Sequence, residues 1–239
     1  MRRLRLLTLL ACLVAGLATA AGASPARTSR SWAQPQIKVV VTHGLMARSV
    51  GSFRPNDPLT QGELSELVAA LTQQPPREVA DPSAPVTMAQ LDARLVRVLD
   101  LSDDAGLFYE AALGAGLRPP ARFGTEVVAR LLGLRTNHPA GQDTLERLPN
   151  DPAPRAEAAY SVARLLSVTD SEKAQIEDEA ATFELPVLTT WQQRVLTTAV
   201  KFIGYPYVWG GEFERLQSPY GAQPQGGFDC SGFACERLD

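Results

Sequence analysis

Apolar residues are distributed along this 239-residue chain in three ways, each predicting a different kind of element. Leu6 to Leu17 is a short, nearly unbroken apolar run behind a basic start. Between Trp32 and Leu166, apolar residues recur at helical spacing between Pro-, Asn- and Asp-rich turns, the pattern of short amphipathic helices. Tyr109 to Leu117 and Glu126 to Leu134 are two of these helices, and Leu95, Val98 and Leu99 lie on another. Residues 167–188 are polar and acidic and read as a linker with some helical character. Thr190, with Gln193 three residues on, then caps a helix striped by Leu196, Ala199, Val200 and Ile203. Beyond it, the Tyr205 to Trp209 segment reads as a short strand, with Trp209 a core aromatic. A polar loop (212–225), a Gly226-Gly227 turn and a helix start at Cys230 complete the pattern.

The helical region repeats itself. Arg54-Pro55-Asn56-Asp57-Pro58-Leu59-Thr60-Gln61-Gly62-Glu63-Leu64 returns as Leu148-Pro149-Asn150-Asp151-Pro152-Ala153-Pro154-Arg155-Ala156-Glu157-Ala158. A partial third copy runs from Pro85 to Leu91. In each copy Pro and its polar neighbours close a turn. Thr60 with Glu63, and Thr87 with Gln90, carry the spacing of a capping box. Units of this size stack to share a core that none can bury alone.

The apolar run at the start changes the picture of compartment. Arg2, Arg3 and Arg5 precede it and small residues at 18–23 follow, which is the form of a secretory signal peptide over residues 1–23 rather than a stable membrane span. Cleavage would remove three arginines and no acid, taking the formal charge from -3 to -6. An acidic exported chain is not expected to bind nucleic acid. The remaining cysteines, Cys230 and Cys235, stand five apart on an expected helix. That places their Cα atoms about 8.6 Å apart, beyond the roughly 7 Å that a disulfide spans. Cys235 is expected in the core and Cys230 as a free thiol.

Cys230 is the candidate nucleophile. It stands between Asp229 and Ser231-Gly232 at a helix start, where free backbone N–H groups favour an anionic sulfur and the thiolate is the attacking species. A nucleophilic cysteine needs an imidazole, yet the only histidines, His43 and His138, both precede it and have no metal-ligand companion at useful spacing. Both are expected to be structural residues.

Tyr205-Pro-Tyr-Val-Trp-Gly-Gly211 followed by Asp229-Cys-Ser-Gly-Phe233 resembles the front half of the NlpC-type cysteine peptidases, bacterial enzymes that cut cell-wall peptides. The resemblance covers residues 189–239. It implies that Cys230 attacks the peptide carbonyl, that Tyr207 donates to the oxyanion or substrate, and that Asp229 and Ser231 hold the amino end of the wall peptide. No metal or organic cofactor is implied. In that family the histidine follows the cysteine on a later sheet, whereas Asp239 lies about two and a half helical turns past Cys230. The base is therefore expected outside this sequence, with Phe228, Phe233 and Leu238 incompletely covered.

Residues 32–73 resemble an S-layer homology module, through Trp32-Ala33, Ile37, Gly44-Leu45 and Gly51-Ser52-Phe53-Arg54-Pro55-Asn56. Such modules attach exported proteins to anionic wall polymer, and the family's Thr-Arg-Ala-Glu motif supplies the arginine. Here only Pro154-Arg155-Ala156-Glu157 keeps it, so Arg155 and Glu157 are the implied polymer-binding residues.

The expected chain is thus α+β: a signal peptide (1–23), a mainly α-helical S-layer homology-like array (32–166), a linker (167–188) and the first part of a papain-like NlpC-type domain (189–239). The resemblance implies a secreted or cell-envelope hydrolase that cleaves peptidoglycan stem peptides after γ-linked D-glutamate. The reading from another class is a non-catalytic wall-binding protein.

Overall fold

In the computed structural model, residues 30–237 are described; the expected signal peptide, Cys12 and Leu238 lie outside them. The fold is α+β. Among the described residues, helices α1 (Gln34–Thr42), α2 (Gln61–Thr72), α3 (Met88–Val98), α4 (Ser102–Gly114), α5 (Phe123–Leu131), α6 (Arg155–Leu165) and α7 (Asp170–Thr182) precede α8 (Thr190–Val200). Strands β1 (Glu212–Phe213), β2 (Gln217–Ser218), β3 (Gly221–Ala222) and β4 (Gly227–Phe228) and helix α9 (Cys230–Arg237) follow. Antiparallel pairing of β1 with β4 and of β2 with β3 turns the polar loop into two nested hairpins. No helix among the described residues is long and apolar enough to cross a membrane.

The three sequence copies close into a ring. Leu59 N–H donates to Ala153 O, Ala153 N–H to Val86 O and Val86 N–H to Leu59 O, each at 2.8 Å. The three side chains meet on the axis, at most 1% exposed. A second tier of bonds runs round the same ring. Gln61 and Gly62, the first residues of α2, donate to Ala84 and Pro82; Met88 and Ala89 of α3 donate to Asp151 and Pro149; Arg155 and Ala156 of α6 donate to Asp57 and Pro55. The opening N–H groups of a helix have no partner within it. Each helix here finds partners on its neighbour's turn, which joins local capping to global assembly.

Thr60 and Thr87 form the expected capping boxes with Glu63 and Gln90. The copy at 148–158 departs from this pattern. Pro154 has neither a hydroxyl nor an N–H for a box, so the corresponding Glu157 carboxylate accepts instead from His138 Nε2 at 2.8 Å. His138 is buried edge-on to Trp32, while exposed His43 caps the end of α1 with Nδ1 2.9 Å from Val39 O.

Outer helices pack over the ring: α1 lies on α6 and α5 on α3. Both end alike, on Gly44 (φ 72°) and Gly133 (φ 66°), after which buried Leu45 and Leu134 bond back to Val40 and Ala129. The expected linker is more ordered than its composition suggested. α7 buries Ile176 and Ala180 against the core and packs on α4, while its acidic residues face outward. α8 begins one residue early, with Thr189 as N-cap and Gln192 completing the box.

Arg155 and Glu157 are not placed as polymer-binding residues. Arg155 is 3% exposed; its guanidinium lies 5.0 Å from the centre of the Phe53 ring and donates to Phe53 O, Met46 O and Glu63. Glu157 is 4% exposed and taken by His138. The Arg155 fork instead ties the third unit to the first. Arg155→Ala leaves the buried Phe53 carbonyl and the partly buried Met46 carbonyl without this donor and leaves Glu63 only the more distant Arg54, and is expected to destabilise the fold by roughly 1–3 kcal/mol. Thermal unfolding measures this, and an unchanged midpoint would make the contacts incidental.

Candidate functional site

Cys230 is the first residue of α9, and its side chain is exposed. Asp229 caps the helix: one carboxylate oxygen accepts from Gly232 N–H and from Ser231 Oγ–H, both at 2.7 Å. These bonds, the Gly232 N–H first, hold the Asp229 carboxyl below the ordinary range. The expected substrate-binding pair Asp229 and Ser231 is thus engaged with itself in the free protein. Gly232 is required at its position, since a Cβ there would lie 2.2 Å from Gly211 O. The Gly226-Gly227 turn is explained by close packing on Glu214 and Pro206 rather than by a ligand.

The motif's two halves are held together by backbone bonds. Val208 N–H donates to Phe228 O at 3.1 Å and Asp229 N–H to Gly211 O at 2.8 Å, while Tyr207 bridges Phe228 in parallel. Val208 is buried, and its neighbours Tyr207 and Trp209 are 42% and 73% exposed. Alternation along an extended segment places Trp209 outside, so it is not the core aromatic expected. Phe228, expected to be incompletely covered, is 6% exposed because Phe202, Tyr205 and Phe233 enclose its ring; Phe233 is half-buried. The Cys235 side chain lies outside what is described.

Tyr207, Asp229 and Cys230 share an open cleft of about 320 Å³, so three of the four residues expected at the motif converge there, while Ser231 is not among its lining residues. Arg155 and Glu157 are not among its residues. Two members come from the helical region and were not anticipated: Arg130, on α5, and Asn137, linked by an Arg130 Nη1 to Asn137 Oδ1 contact of 3.4 Å. Nothing in the local sequence at 130–137 signals a role at a cysteine a hundred positions on. Neither histidine contacts Cys230, since both are engaged elsewhere.

The site is seated on α5. Arg122 donates to Lys201 O at 2.6 Å and to Ile203 O at 3.2 Å, and Arg130 donates to Gly204 O at 3.3 Å. Between these arginines the Glu126 carboxylate is buried beneath Gly204, whose φ of 85° suits glycine and where a Cβ would meet the carboxylate at 2.5 Å. Among the described residues neither Glu126 oxygen has a hydrogen-bond partner. Burial, and after it the nearby Asp92 carboxylate, raise the Glu126 pKa above the usual range, against the pull of Arg135, Arg130 and Arg122.

Comparison of the chain with family models, with curated proteins and with solved structures gave no match. The candidate site therefore rests on its own geometry.

A carboxyl whose folded pKa is raised contributes stability at pH below its unfolded value and loses it as pH rises through the folded value. Glu126→Gln is accordingly expected to stabilise the protein at pH 8 by about 1–3 kcal/mol, with the gain shrinking toward pH 4. Unfolding followed across that range checks the sign; destabilisation at pH 8 would mean that the ionised carboxylate holds the Gly204 turn.

Proposed function

We propose that this protein is an exported peptidoglycan hydrolase, a cysteine endopeptidase of NlpC type that cleaves stem peptides after γ-linked D-glutamate. The observation that carries the reading is an exposed cysteine at the N-terminus of α9, capped by Asp229, in one cleft with Tyr207. Cys230 as thiolate adds to the peptide carbonyl, with its own backbone N–H and the Tyr207 hydroxyl donating to the oxyanion. Collapse of the tetrahedral intermediate breaks the C–N bond; the amine leaves with the proton that an imidazole base, supplied from outside the described residues, has taken from the Cys230 thiol, and water then cleaves the thioester. Asp229 and Ser231 are assigned to the amino end of the stem peptide, which requires that pair to open.

The helical array, in this reading, is an S-layer homology-like module that brings the cleft to the wall. Its polymer contact does not run through Arg155 or Glu157, which are buried. One observation favours the second reading, a non-catalytic wall-binding protein: His138 is paired with Glu157 and His43 lies at the end of α1, so the described residues offer Cys230 no imidazole.

Imidazole added to the solution separates the two. The 239-residue chain alone is expected to release no new amino termini from purified peptidoglycan. Added imidazole is expected to elicit release that depends on its concentration, is absent in Cys230→Ala and is weakened in Tyr207→Phe. Cosedimentation with the insoluble wall is expected to be unchanged in both variants. Release by Cys230→Ala equal to that of the parent, or no release at any imidazole concentration, would remove the hydrolase reading; cosedimentation alone would then support the second.

A further inference from the structure

The ring predicts an outer helix that is absent among the described residues. Each outer helix belongs to one unit and packs on the ring helix of the unit before it: α1, which leads into α2, lies on α6, and α5, which leads into α6, lies on α3. By the same rule the segment leading into α3 should place a helix on α2. That segment, residues 73–87, contains no helix. It runs along α2 as extended chain, with Pro82 O accepting from Gly62 N–H and Arg77 O accepting from Ser65 Oγ–H, and its residues Gln74, Pro75, Arg77 and Val79 form one wall of a cleft there.

The face left without a helix is this cleft, of about 220 Å³ between α2 and α3, with Val68, Val79 and Val98 among its apolar walls. Arg77, Arg94 and Arg97 line it as well. Among the described residues no carboxylate is ion-paired with any of these three. Partial burial, and then Arg97 and Arg77, hold Arg94 below the ordinary guanidinium pKa. Cations gathered beside apolar surface without a counter-charge favour an occupant that brings both carboxylates and apolar side chains. The two filled positions supply its shape, since each holds a helix that inserts apolar residues: Ile37 and Val40 from α1, Phe123, Val128 and Ala129 from α5.

We propose that the α2–α3 cleft is the docking seat for an acidic amphipathic helix of a partner protein, which takes the place of the missing third outer helix. This mode of recognition lays the apolar face of a helix into a groove. Here the carboxylates of the partner would meet Arg77, Arg94 and Arg97. The proposal does not depend on the chemistry of Cys230.

A probe can be made from the chain itself. A fluorescent peptide of residues 121–134 carrying R122E and R130E keeps the buried face of α5 and sets carboxylates at 122, 126 and 130, one turn apart on one side. It is expected to bind the protein saturably, and more weakly as salt is raised. The double variant R94E/R97E and the cleft-filling Val68→Trp are each expected to weaken binding by about tenfold or more. The unsubstituted peptide, which keeps its arginines, is expected to bind at least about tenfold less tightly than the acidic one. Thermal unfolding of both protein variants reports whether they remain folded, and either one that does suffices for the test. Absence of saturable binding, equal binding of the two peptides, or binding unchanged in a folded variant would overturn the proposal. So would concentration-dependent dimerisation blocked by Val68→Trp, which would give the seat to a second copy of this chain.

Discussion

Three helix N-termini meet at one axis in this protein, and the fold depends on how that convergence is satisfied. Each terminus brings unpaired N–H groups and the positive end of a helix dipole, so three together would repel one another and waste their donors. The Pro-containing turns answer both problems. Their carbonyls at 55 and 57, 82 and 84, and 149 and 151 accept the first N–H groups of the next helix round the ring. The three residues before the helix caps pair among themselves. No unit can make these bonds alone, so the local end of each helix and the assembly of the three units form together. Glu63 adds a carboxylate to this positive centre, bound to the Thr60 N–H on one side and to Arg155 on the other.

That rigid ring accounts for the position of the cysteine. α5 is fixed on α3, and Arg122 at its N-cap and Arg130 in its last turn reach the carbonyls of the turn 201–204. Those carbonyls end a run of helix and have no intrahelical donor, and the two guanidinium groups supply one. Glu126, enclosed between them, is costly as an anion; it is tolerated because Gly204 leaves room above it and because the surrounding arginines offset part of the cost. The cleft around Cys230 is then a joint product of the terminal motif and α5, which is why Arg130 and Asn137 line it.

Much of this was legible from residue order, because it follows from local rules. The capping boxes at Thr60 and Thr87, the helices after each Pro-rich turn and the helix start at Cys230 need only neighbours three or four positions away. The ring explains why the copy at 85–91 looked partial. Pro82-Ser83-Ala84-Pro85-Val86-Thr87 fills the whole motif by backbone carbonyls, and side chains such as Asn56 and Asp57 are not what the ring uses. Long-range partners were not legible. Arg155 looks like a free fork until Met46 and Phe53 are brought against it, and Glu157 reads as its polymer-binding companion until His138 is brought against it. Trp209 reads as core by composition, whereas the alternation of the segment assigns that place to Val208.

The departures from threefold repetition carry more meaning than the repetition. Where the outer helix is α1, its unit is closed against α6 and joined through Met46 to Arg155, a purely structural use. Where it is α5, the outward side has become the platform for the terminal motif, with an unpaired buried carboxylate as the cost. Where none is found among the described residues, an apolar cleft edged by Arg77, Arg94 and Arg97 remains. One bonding scheme thus supports three different outer faces, because the backbone ring asks so little of the side chains around it. Degeneration of the repeat motif in such a scaffold is not a loss of fold; it frees each outer position for a separate task.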